Sequence, residues 1–423
     1  MRVAVVGMAR SGVAAAELLL AKGFEVWGVD EKLGPSQMGP VKILPQTDEA
    51  FENAELIVLS PGVPADLRKW KVPMIGDLEL ASRYLQGNII GITGANGKTT
   101  TTALTGHILE SSGIAAQVGG NIGRPPCSMV AASRADQWNV LELSSFQLET
   151  TQTFRAQIGA CLNVTPDHLD RHYTFENYAG AKARLFVNQR ESDSAVLNVD
   201  DAACRGYAER GAGKPVWFSS TQTVFPGACL RGDEIVLDDA RLMKASEVPL
   251  RGVHNLENIM AAASIARLAG ASHEQIRDAV MTFPGVEHRL EFVRAADGVA
   301  YYNDSKATNV DATLKAINAF DGGLWIILGG KDKNSDYTVL RGPLAAKARA
   351  ALLIGAAAQK IEDQLRGSVE MIRCGTMDAA IREARSRASQ GETVLLAPAC
   401  ASFDQFENFE HRGREFKRMV REL

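Results

Sequence analysis

Residues 91–100 have the sequence GITGANGKTT, in which three glycines lead to a lysine and a pair of threonines. The apolar run Ile89–Thr93 predicts a strand before the loop, and a helical pattern begins at Lys98. This order is typical of a phosphate-binding loop, where backbone N–H groups surround phosphate oxygens at a helix N-terminus. We therefore expect Lys98 to bind the β- and γ-phosphates of a nucleotide and the hydroxyl of Thr99 to bind Mg²⁺.

The spacing of this loop departs from the common pattern G-x-x-x-x-G-K-[ST], because Ile92 stands six residues before Lys98. A glycine turn that merely begins a helix is the alternative, but it leaves the lysine and the paired threonines without a role. The residues expected to surround the phosphates are Gly94, Ala95, Asn96, Gly97, Lys98, Thr99 and Thr100.

Short apolar runs alternate with helical patterns on both sides of the loop, which predicts an α/β fold with mostly parallel sheets. The 423 residues, at about 150 per domain, predict about three domains. We place them at 1–87 (Rossmann-like), 88–285 (a P-loop ATPase-type domain) and 286–423 (Rossmann-like). Among the local expectations are a helix over Asp77–Leu85, a strand over Ile158–Val164, hairpins within 215–250 and an amphipathic helix from Phe403.

Composition excludes several classes of protein. The chain has 46 Lys and Arg against 50 Asp and Glu, a net charge of −4, whereas a non-specific nucleic-acid binder is expected to be basic. Six cysteines without a CxxC pair are too few for a disulfide scaffold and predict a reduced, cytoplasmic protein. No run approaches the ~18 apolar residues of a membrane span. Gly7 comes too early for a signal peptide.

Oxygen and imidazole groups follow two predicted strands of the central domain. Glu142 ends one strand, and the segment NVTPDHLD (163–170), with His168, follows another. Carboxylate and histidine side chains at neighbouring strand ends can complete a Mg²⁺ site beside nucleotide phosphates. Either residue on its own is equally compatible with a structural role.

The N-terminal loop GMARSG (7–12) resembles a dinucleotide fingerprint in which Ala9 replaces the middle glycine. Asp30 ends the second strand, where an acidic residue can hold a ribose hydroxyl, and SPGVP (60–64) ends the third. Because parallel strands end at one sheet edge, a nucleotide or diphosphate can bind there. A strand–turn–helix without a ligand stays open as the alternative.

Three later segments also follow predicted strands: NDSKATN (303–309), GGKDK (329–333) and PACASFDQF (398–406). Asp304 can accept a hydrogen bond from a ribose or a metal-bound water, and Lys306 can meet a phosphate or a carboxylate. Helix capping explains the first segment equally well, and turn chemistry explains the other two.

Taken in order, these segments resemble the Mur ligases along almost the whole chain. The resemblance is carried by GITGANGKTT, GGNIG (119–123), ELSSFQLE (142–149), NVTPDHLDRH (163–172), HNLENIMAA (254–262), HRLE (288–291), NDSKATN and PACASFDQFENFEHRG (398–413). The phosphate loop and NDSKATN are shared with folylpolyglutamate synthases. The C-terminal block and the short first domain favour the branch that adds D-glutamate.

The resemblance implies an ADP-forming ligase that joins D-glutamate to UDP-N-acetylmuramoyl-L-alanine through an acyl phosphate. It implies a monomer that binds neither nucleic acid nor a membrane and uses ATP and Mg²⁺. The first domain would hold uridine diphosphate through Ser11, Asp30, Glu31, Ser60 and Gly62. The metal ligands implied are Thr99, Glu142, His168 and a carbamylated Lys182.

For the other ligands, the resemblance implies ATP contacts at Asn255, Arg289, Asp304 and Lys306 and places Asn121 near the substrate. It implies D-glutamate contacts at Lys333, Ser402 and Phe409, with Lys306 close by. Lys98, His168, Lys182 and Lys306 are the implied catalytic residues.

Three positions depart from the family pattern. Ala95 replaces a common threonine, Glu31 stands where a small hydroxyl residue can meet uracil, and Lys331 adds a charge beside Lys333. A folate-polyglutamating ligase and a nucleotide-regulated binding protein stay open as alternatives, since each would keep the phosphate loop.

Overall fold

The computed structural model describes residues 1–31, 35–64, 71–250 and 252–423. They form two compact units, Met1–Phe283 and Pro284–Leu423. The first unit holds a six-stranded and a nine-stranded sheet, and the second holds a six-stranded sheet. The α/β fold class with mostly parallel sheets is confirmed. The residues predicted as the first and central domains lie in the first unit, except Pro284 and Gly285, which belong to the second.

The six-stranded sheet of the first unit has the order β3-β4-β2-β1-β5-β6 and is parallel except for β3. Its strands are β1 (Arg2–Val6), β2 (Glu25–Asp30), β3 (Ser36–Met38), β4 (Val41–Pro45), β5 (Leu56–Leu59) and β6 (Met74–Gly76). The accompanying helices are α1 (Arg10–Ala21) and α2 (Asp77–Ser82).

The nine-stranded sheet has the order β15-β14-β13-β12-β11-β10-β7-β9-β8, and only its last three strands in sequence form antiparallel hairpins. The strands are β7 (Asn88–Thr93), β8 (Ala116–Gly120), β9 (Trp138–Glu142), β10 (Ile158–Cys161), β11 (Ser194–Asn198), β12 (Lys214–Ser219), β13 (Gly227–Arg231), β14 (Glu234–Leu237) and β15 (Ala240–Lys244). The helices are α3 (Lys98–Ser111), α4 (Pro126–Met129), α5 (Ser145–Leu148), α6 (Leu169–His172), α7 (Phe175–Val187), α8 (Ala202–Tyr207), α9 (Val253–Leu268) and α10 (His273–Thr282).

The sheet of the second unit has the order β16-β17-β21-β18-β19-β20 and is parallel except for β16. Its strands are β16 (Glu291–Ala296), β17 (Val299–Asn303), β18 (Leu324–Gly329), β19 (Ala348–Ile354), β20 (Glu370–Gly375) and β21 (Thr393–Leu396). The helices are α11 (Val310–Asn318), α12 (Arg341–Lys347), α13 (Ala358–Leu365), α14 (Met377–Arg387) and α15 (Phe409–Arg421).

Burial explains why the central strands could be predicted from the sequence. Ile90, Ile92, Val140 and Leu141 are fully buried, because β7 and β9 lie inside a sheet covered by helices on both faces. Strands in that position consist of continuous apolar runs. Their carboxyl ends leave the core together, so the loops that follow β7, β9 and β10 gather at one edge of the sheet.

Three local predictions need correction. The helix predicted over Asp77–Leu85 ends at Ser82, and the strand predicted over Ile158–Val164 ends at Cys161, beyond which Asn163 turns toward the glycine loop. The helix predicted from Phe403 begins at Phe409, because Asn408 caps it by accepting a hydrogen bond from the N–H of His411 at 2.7 Å.

Four short edge or near-edge strands, β3, β4, β6 and β8, were not predicted. Their apolar runs are too short to stand out from the flanking loops. Within the described residues, every helix is too short or too polar to cross a membrane.

Candidate active site

The phosphate loop after β7 is held by the end of β10. Asn163 accepts hydrogen bonds from the N–H groups of Ala95 and Asn96, each at 2.8 Å. Gly97 has a φ of 86°, and a Cβ there would lie 2.2 Å from Oδ1 of Asn258. Glycine is therefore required at this position by both conformation and space.

Asn255 and Asn258 are buried on α9, behind the loop. Asn258 donates to Oδ1 of Asn255 at 3.1 Å and lies 3.3 Å from the hydroxyl of Thr101 on α3. The sequence-predicted Asn255 thus packs into the same polar layer as the first turn of α3.

Two lysines approach the loop from opposite directions. Lys98, at the start of α3, donates to the carbonyl oxygens of Gly94 at 2.8 Å and Ala95 at 2.9 Å. Lys182, on α7, donates to the same Gly94 oxygen at 2.8 Å and lies 3.4 Å from the hydroxyl of Thr93. Two of the three lysines predicted as catalytic are therefore brought together at one carbonyl group.

Lys182 is buried, with 1% of its surface exposed, and its Nζ lies 4.7 Å from the centre of the Tyr178 ring. Burial, followed by the charge of Lys98, lowers the pKa of Lys182 to about 7. A substantial fraction of this amine is consequently neutral, and therefore nucleophilic, near neutral pH.

Glu142 ends β9 beside this loop, since it pairs with Ile92 of β7. Its Oε1 accepts a hydrogen bond from the side chain of Asn121 at 2.8 Å, so two predicted site residues touch. Its Oε2 is buried and has no hydrogen-bond partner among the described residues. A buried carboxylate oxygen without a hydrogen bond destabilises the folded protein unless a cation or a hydrogen-bond donor binds to it.

His168 lies at the start of α6 with a φ of 52°, and its side chain is about half exposed. Its ring packs on Phe146 at 4.8 Å, and Phe146 also stacks on His172 at 5.4 Å. His172 in turn lies 2.9 Å from the hydroxyl of Ser145. Phe146, which packs against His168, and His172, which packs against Phe146, were missed by sequence reasoning, although the segment that contains Phe146 directly follows Glu142.

No group of three or more His, Cys, Asp and Glu side chains among the described residues is arranged to hold a metal. A cation beside Glu142 would therefore also need ligands of other kinds, such as hydroxyl, water and phosphate oxygens. These are the ligands that Mg²⁺ usually takes in nucleotide sites.

A cavity of about 820 Å³ opens in the first unit beside β1, β2 and β5. It is lined by the five residues predicted to contact uridine diphosphate, namely Ser11, Asp30, Glu31, Ser60 and Gly62, and by Asn121, which was predicted to lie near the substrate. Oδ2 of Asp30 accepts from the N–H of Met8 at 2.7 Å, and the hydroxyl of Ser60 donates to the carbonyl of Gly7 at 2.6 Å.

Arg10 is the cation among the described residues that line this cavity, and sequence reasoning missed it. Its guanidinium donates to the carbonyl oxygen of Gly123, in the GGNIG segment after β8. The position of Arg10 inside the GMARSG loop was the available signal.

The second unit brings Arg289, Asp304 and Lys306 together. The N–H of Leu290 donates to Oδ1 of Asp304 at 3.3 Å, and the N–H of Lys306 donates to the carbonyl of His288 at 3.1 Å. Burial raises the pKa of Asp304 to about 6, against the charges of Arg289 and Lys306.

The loops that contain Lys333 and Ser402 are joined by a short backbone bridge. The N–H of Lys331 donates to the carbonyl of Ala401 at 2.8 Å, and the reverse bond is 3.1 Å long. Asp332 accepts from the Tyr337 hydroxyl at 2.8 Å and from Lys360 at 2.7 Å.

Both lysines that flank Asp332 are exposed, whereas Ser402 is buried and Phe409 is partly buried. Phe409 forms an edge contact with His288 at 6.3 Å. The three residues predicted to bind D-glutamate therefore lie in segments at one end of the sheet of the second unit.

Two family models match the chain. The Mur ligase middle domain covers residues 92–266, and the Mur ligase glutamate ligase domain covers residues 288–400.

Among curated proteins, the chain is 56% identical to the UDP-N-acetylmuramoylalanine–D-glutamate ligase of Solibacter usitatus, over 100% of this chain and 98% of the relative. It is 49% identical to the protein of the same name from Acidobacterium capsulatum, over 99% and 96%. The relative of that name from Koribacter versatilis is 48% identical, over 100% and 97%.

Solved structures share the fold at low identity. The UDP-N-acetylmuramate-alanine ligase of Thermotoga maritima superposes with a TM-score of 0.64 at 16% identity, over 100% of this chain and 99% of the other. A pseudomurein peptide ligase type C from Methanothermus fervidus gives 0.61 at 17% identity, with the same coverage.

Proposed function

This chain belongs to the Mur ligase family, and we propose that it joins D-glutamate to UDP-N-acetylmuramoyl-L-alanine at the expense of ATP. The products are UDP-N-acetylmuramoyl-L-alanyl-D-glutamate, ADP and phosphate, and the reaction serves peptidoglycan precursor synthesis. The observation that carries this substrate pair is the 48–56% identity, along the whole chain, to relatives named UDP-N-acetylmuramoylalanine–D-glutamate ligase.

The chemistry requires activation, because a carboxylate is a poor acyl donor. The alanine carboxylate attacks the γ-phosphorus of ATP, the bond to ADP breaks, and an acyl phosphate forms. The amine of D-glutamate then attacks the acyl carbon, the amide bond forms, and phosphate leaves as the amine loses a proton. Charge accumulates on phosphate oxygens during the first step, so that step depends on positive groups fixed in advance.

Lys98 is the group that we assign to the β- and γ-phosphates. It is half-buried at the start of α3 and donates to two neutral carbonyl oxygens of its own loop. Phosphate oxygens are stronger acceptors because their hydrogen bonds to an ammonium group are charge-assisted. ATP therefore replaces these internal bonds at little structural cost, while the backbone of residues 94–100 surrounds the phosphates.

We further propose that Glu142 would hold Mg²⁺, with Thr99, His168 and Lys182 as the other candidate ligands. Support comes from the buried Oε2 of Glu142, whose missing partner is what a hard cation would supply. When bound, Mg²⁺ neutralises charge on the transferring phosphate. Asn121 holds the second oxygen of Glu142, so it orients this carboxylate.

Lys182 is our candidate for carbamylation. An ammonium group there is buried and shares an acceptor with Lys98, which makes it a poor neighbour for a cation. A neutral amine attacks the carbon of CO₂, the new N–C bond forms as one C=O π bond opens, and one N–H proton leaves to water. The resulting carbamate is an anion with two oxygen acceptors, so it pairs with Lys98 instead of repelling it.

The substrates are assigned as follows. The uridine diphosphate part occupies the 820 Å³ cavity, where Ser11, Asp30, Ser60, Gly62 and Asn121 lie. Lys333, Ser402 and Phe409 are the candidate D-glutamate contacts, with Lys306 close by. In the second unit, Arg289, Asp304 and Lys306 are our candidates for nucleotide contacts, as is Asn255 in the first.

We keep the division into domains 1–87, 88–285 and 286–423 as a proposal, and we propose a cytoplasmic monomer that binds neither membranes nor nucleic acids. All six cysteines are unpaired, and five of them are buried, as expected in a reducing compartment.

Phosphate release, measured with each substrate omitted in turn, tests this function. We expect release only when ATP, UDP-N-acetylmuramoyl-L-alanine and D-glutamate are all present, and no release when L-glutamate replaces the D-isomer. Turnover with a folate acceptor instead would point to a polyglutamating ligase. ATP binding without turnover under any of these conditions would point to a nucleotide-regulated binding protein.

A further inference from the structure

Arg412, on α15, is among the largest fully buried side chains of the molecule, with 1% of its surface exposed. Its Nε donates to the hydroxyl of Ser305 at 2.9 Å, and one terminal nitrogen donates to the carbonyl of Ser305 at 2.8 Å. The other terminal nitrogen donates to the carbonyl of Cys400 at 3.1 Å. All three acceptors are electrically neutral.

These hydrogen bonds join two loops that contain candidate site residues. Ser305 belongs to the loop after β17, and Cys400 belongs to the loop after β21. Gly330, in the loop after β18, is also adjacent, since a Cβ placed there would lie 3.3 Å from Nη1 of Arg412 and 2.3 Å from the carbonyl oxygen of Ala401. The strands β17, β21 and β18 are consecutive neighbours in the sheet, so one guanidinium group bonds to two of these loops and lies beside the third at one edge.

Among the described residues, this guanidinium forms no ion pair. No carboxylate of the described residues lies within ion-pair distance of Arg412, whereas the other buried cation of the same helix, Lys417, pairs with Glu287 and Glu291. Burial lowers the pKa of Arg412 to about 10, against the influence of Cys400 and Asp404. The carboxylate of Asp404 itself accepts the N–H of Ala356 at 2.9 Å. A buried charge held only by neutral acceptors carries a desolvation cost, and an anion bound nearby would reduce that cost.

We propose that Arg412 is a positioning residue of the amino-acid site, and that its buried charge makes this site prefer an acceptor with net negative charge. It acts through other groups, because its own surface is covered. Ser305 lies directly before Lys306, and Cys400 lies two residues before Ser402. The inference rests on the proposed function, since it takes D-glutamate to bind at these loops.

The experiment compares D-glutamate with D-glutamine, which has nearly the same shape but no charge on its side chain. The variants are Arg412→Gln, which removes the charge, and Arg412→Lys, which keeps the charge but loses the planar fork of donors. Val420→Ala is the matched control, because Val420 is a fully buried residue of the same helix that packs in the core. For each protein, kcat and KM are measured for both acceptors and for ATP, together with the melting temperature.

In Arg412→Gln we expect the D-glutamate KM to rise about 10- to 100-fold, the range for losing a charged hydrogen-bonding group, and the KM for ATP to rise less. The preference for D-glutamate over D-glutamine should shrink by a similar factor. Arg412→Lys should raise the D-glutamate KM but keep most of that preference. Val420→Ala should lower the melting temperature and leave both KM values and the preference as in wild type.

Equal losses with both acceptors in Arg412→Gln would overturn the electrostatic role and leave a purely structural one. An unchanged D-glutamate KM in Arg412→Lys would overturn the positioning role, and this variant carries the test if Arg412→Gln does not fold. A wild-type protein that releases no phosphate with D-glutamate would instead refute the proposed function, and with it the inference.

Discussion

Lys98 and Lys182 donate to the same carbonyl oxygen, that of Gly94, each at a distance of 2.8 Å. Two ammonium groups at one neutral acceptor repel each other, and the repulsion is strong where burial excludes water. Lys182 is the more deeply buried of the two, and burial together with the charge of Lys98 lowers its pKa. The phosphate loop is therefore built around a charge conflict that anionic phosphates, or an anion formed on Lys182, would resolve.

Lys98→Ala should abolish turnover and leave the fold intact, because the lysine is only half-buried and bonds to its own loop. Phosphate release measures the first effect and circular dichroism the second. Lys214→Ala, at an exposed position at the start of β12, is the control and should behave as wild type. A folded Lys98→Ala protein with wild-type activity would refute the phosphate-loop assignment.

Lys182→Met should stabilise the protein at pH 6 to 7 in buffer free of CO₂ and Mg²⁺. The pKa of Lys182 is lowered from 10.5 to about 7 in the folded state, so the unfolded state binds more protons between these values. The free-energy cost that burying the charged Lys182 adds to folding is then largest below pH 7 and disappears as the pH rises toward about 10.5. Melting temperatures of wild type and variant should converge over that interval.

Lys417→Met is the control, because it should change the melting temperature in the opposite direction. Burial of Lys417 is outweighed by Glu287 and Glu291, which raise its pKa. This substitution should therefore destabilise the protein at neutral pH. If both variants shifted the melting temperature in the same direction, the charge conflict at Gly94 would not be the cause.

Labelled bicarbonate tests the carbamate on Lys182 directly. A ¹³C carbamate signal should appear in wild type with Mg²⁺ and be absent from Lys182→Ala. That variant should be inactive and partly rescued by short carboxylic acids, which restore an anion in the space left by the side chain. An active alanine variant, together with no carbamate signal in wild type, would end this assignment.

Arg10→Gln should raise the KM for UDP-N-acetylmuramoyl-L-alanine about 10-fold or more, because a charged hydrogen bond to a phosphate would be lost. The KM for D-glutamate should not change. Lys22→Gln, at the other end of α1, is the matched control, since Lys22 packs over the ring of Tyr84. Equal effects of the two substitutions would mean that Arg10 contributes only to the general charge of the surface.

Lys333→Ala and Ser402→Ala should each raise the KM for D-glutamate by about 10-fold while the KM for ATP changes little. A carboxylate needs charged or hydroxyl donors, and these two side chains lie in neighbouring loops of the second unit. Lys347→Ala, on α12, is the control. If both variants kept the wild-type KM for D-glutamate, the contacts would have to lie elsewhere.

Local patterns in the sequence determined the fold class and indicated the glycine loop after β7 as the candidate phosphate loop. Buried strands such as Ile158–Cys161 appear as apolar runs because both of their faces are covered, and Gly97 is recognisable because no other residue tolerates its conformation and space. The charged and polar residues that follow these strands were predictable for the same reason, since parallel strands bring their carboxyl ends to one edge.

Tertiary structure alone decided which of these residues meet. Lys98 and Lys182 are 84 positions apart and share one carbonyl, and Arg412 reaches Ser305 across 107 positions. Arg10 meets Gly123 across 113 positions. Propensity and periodicity act over a few residues, whereas these contacts depend on strand order and helix packing. The sequence therefore determined the kinds of group at each strand end. The packing of the chain determined which charged groups share an acceptor, which form ion pairs and which bond only to neutral groups.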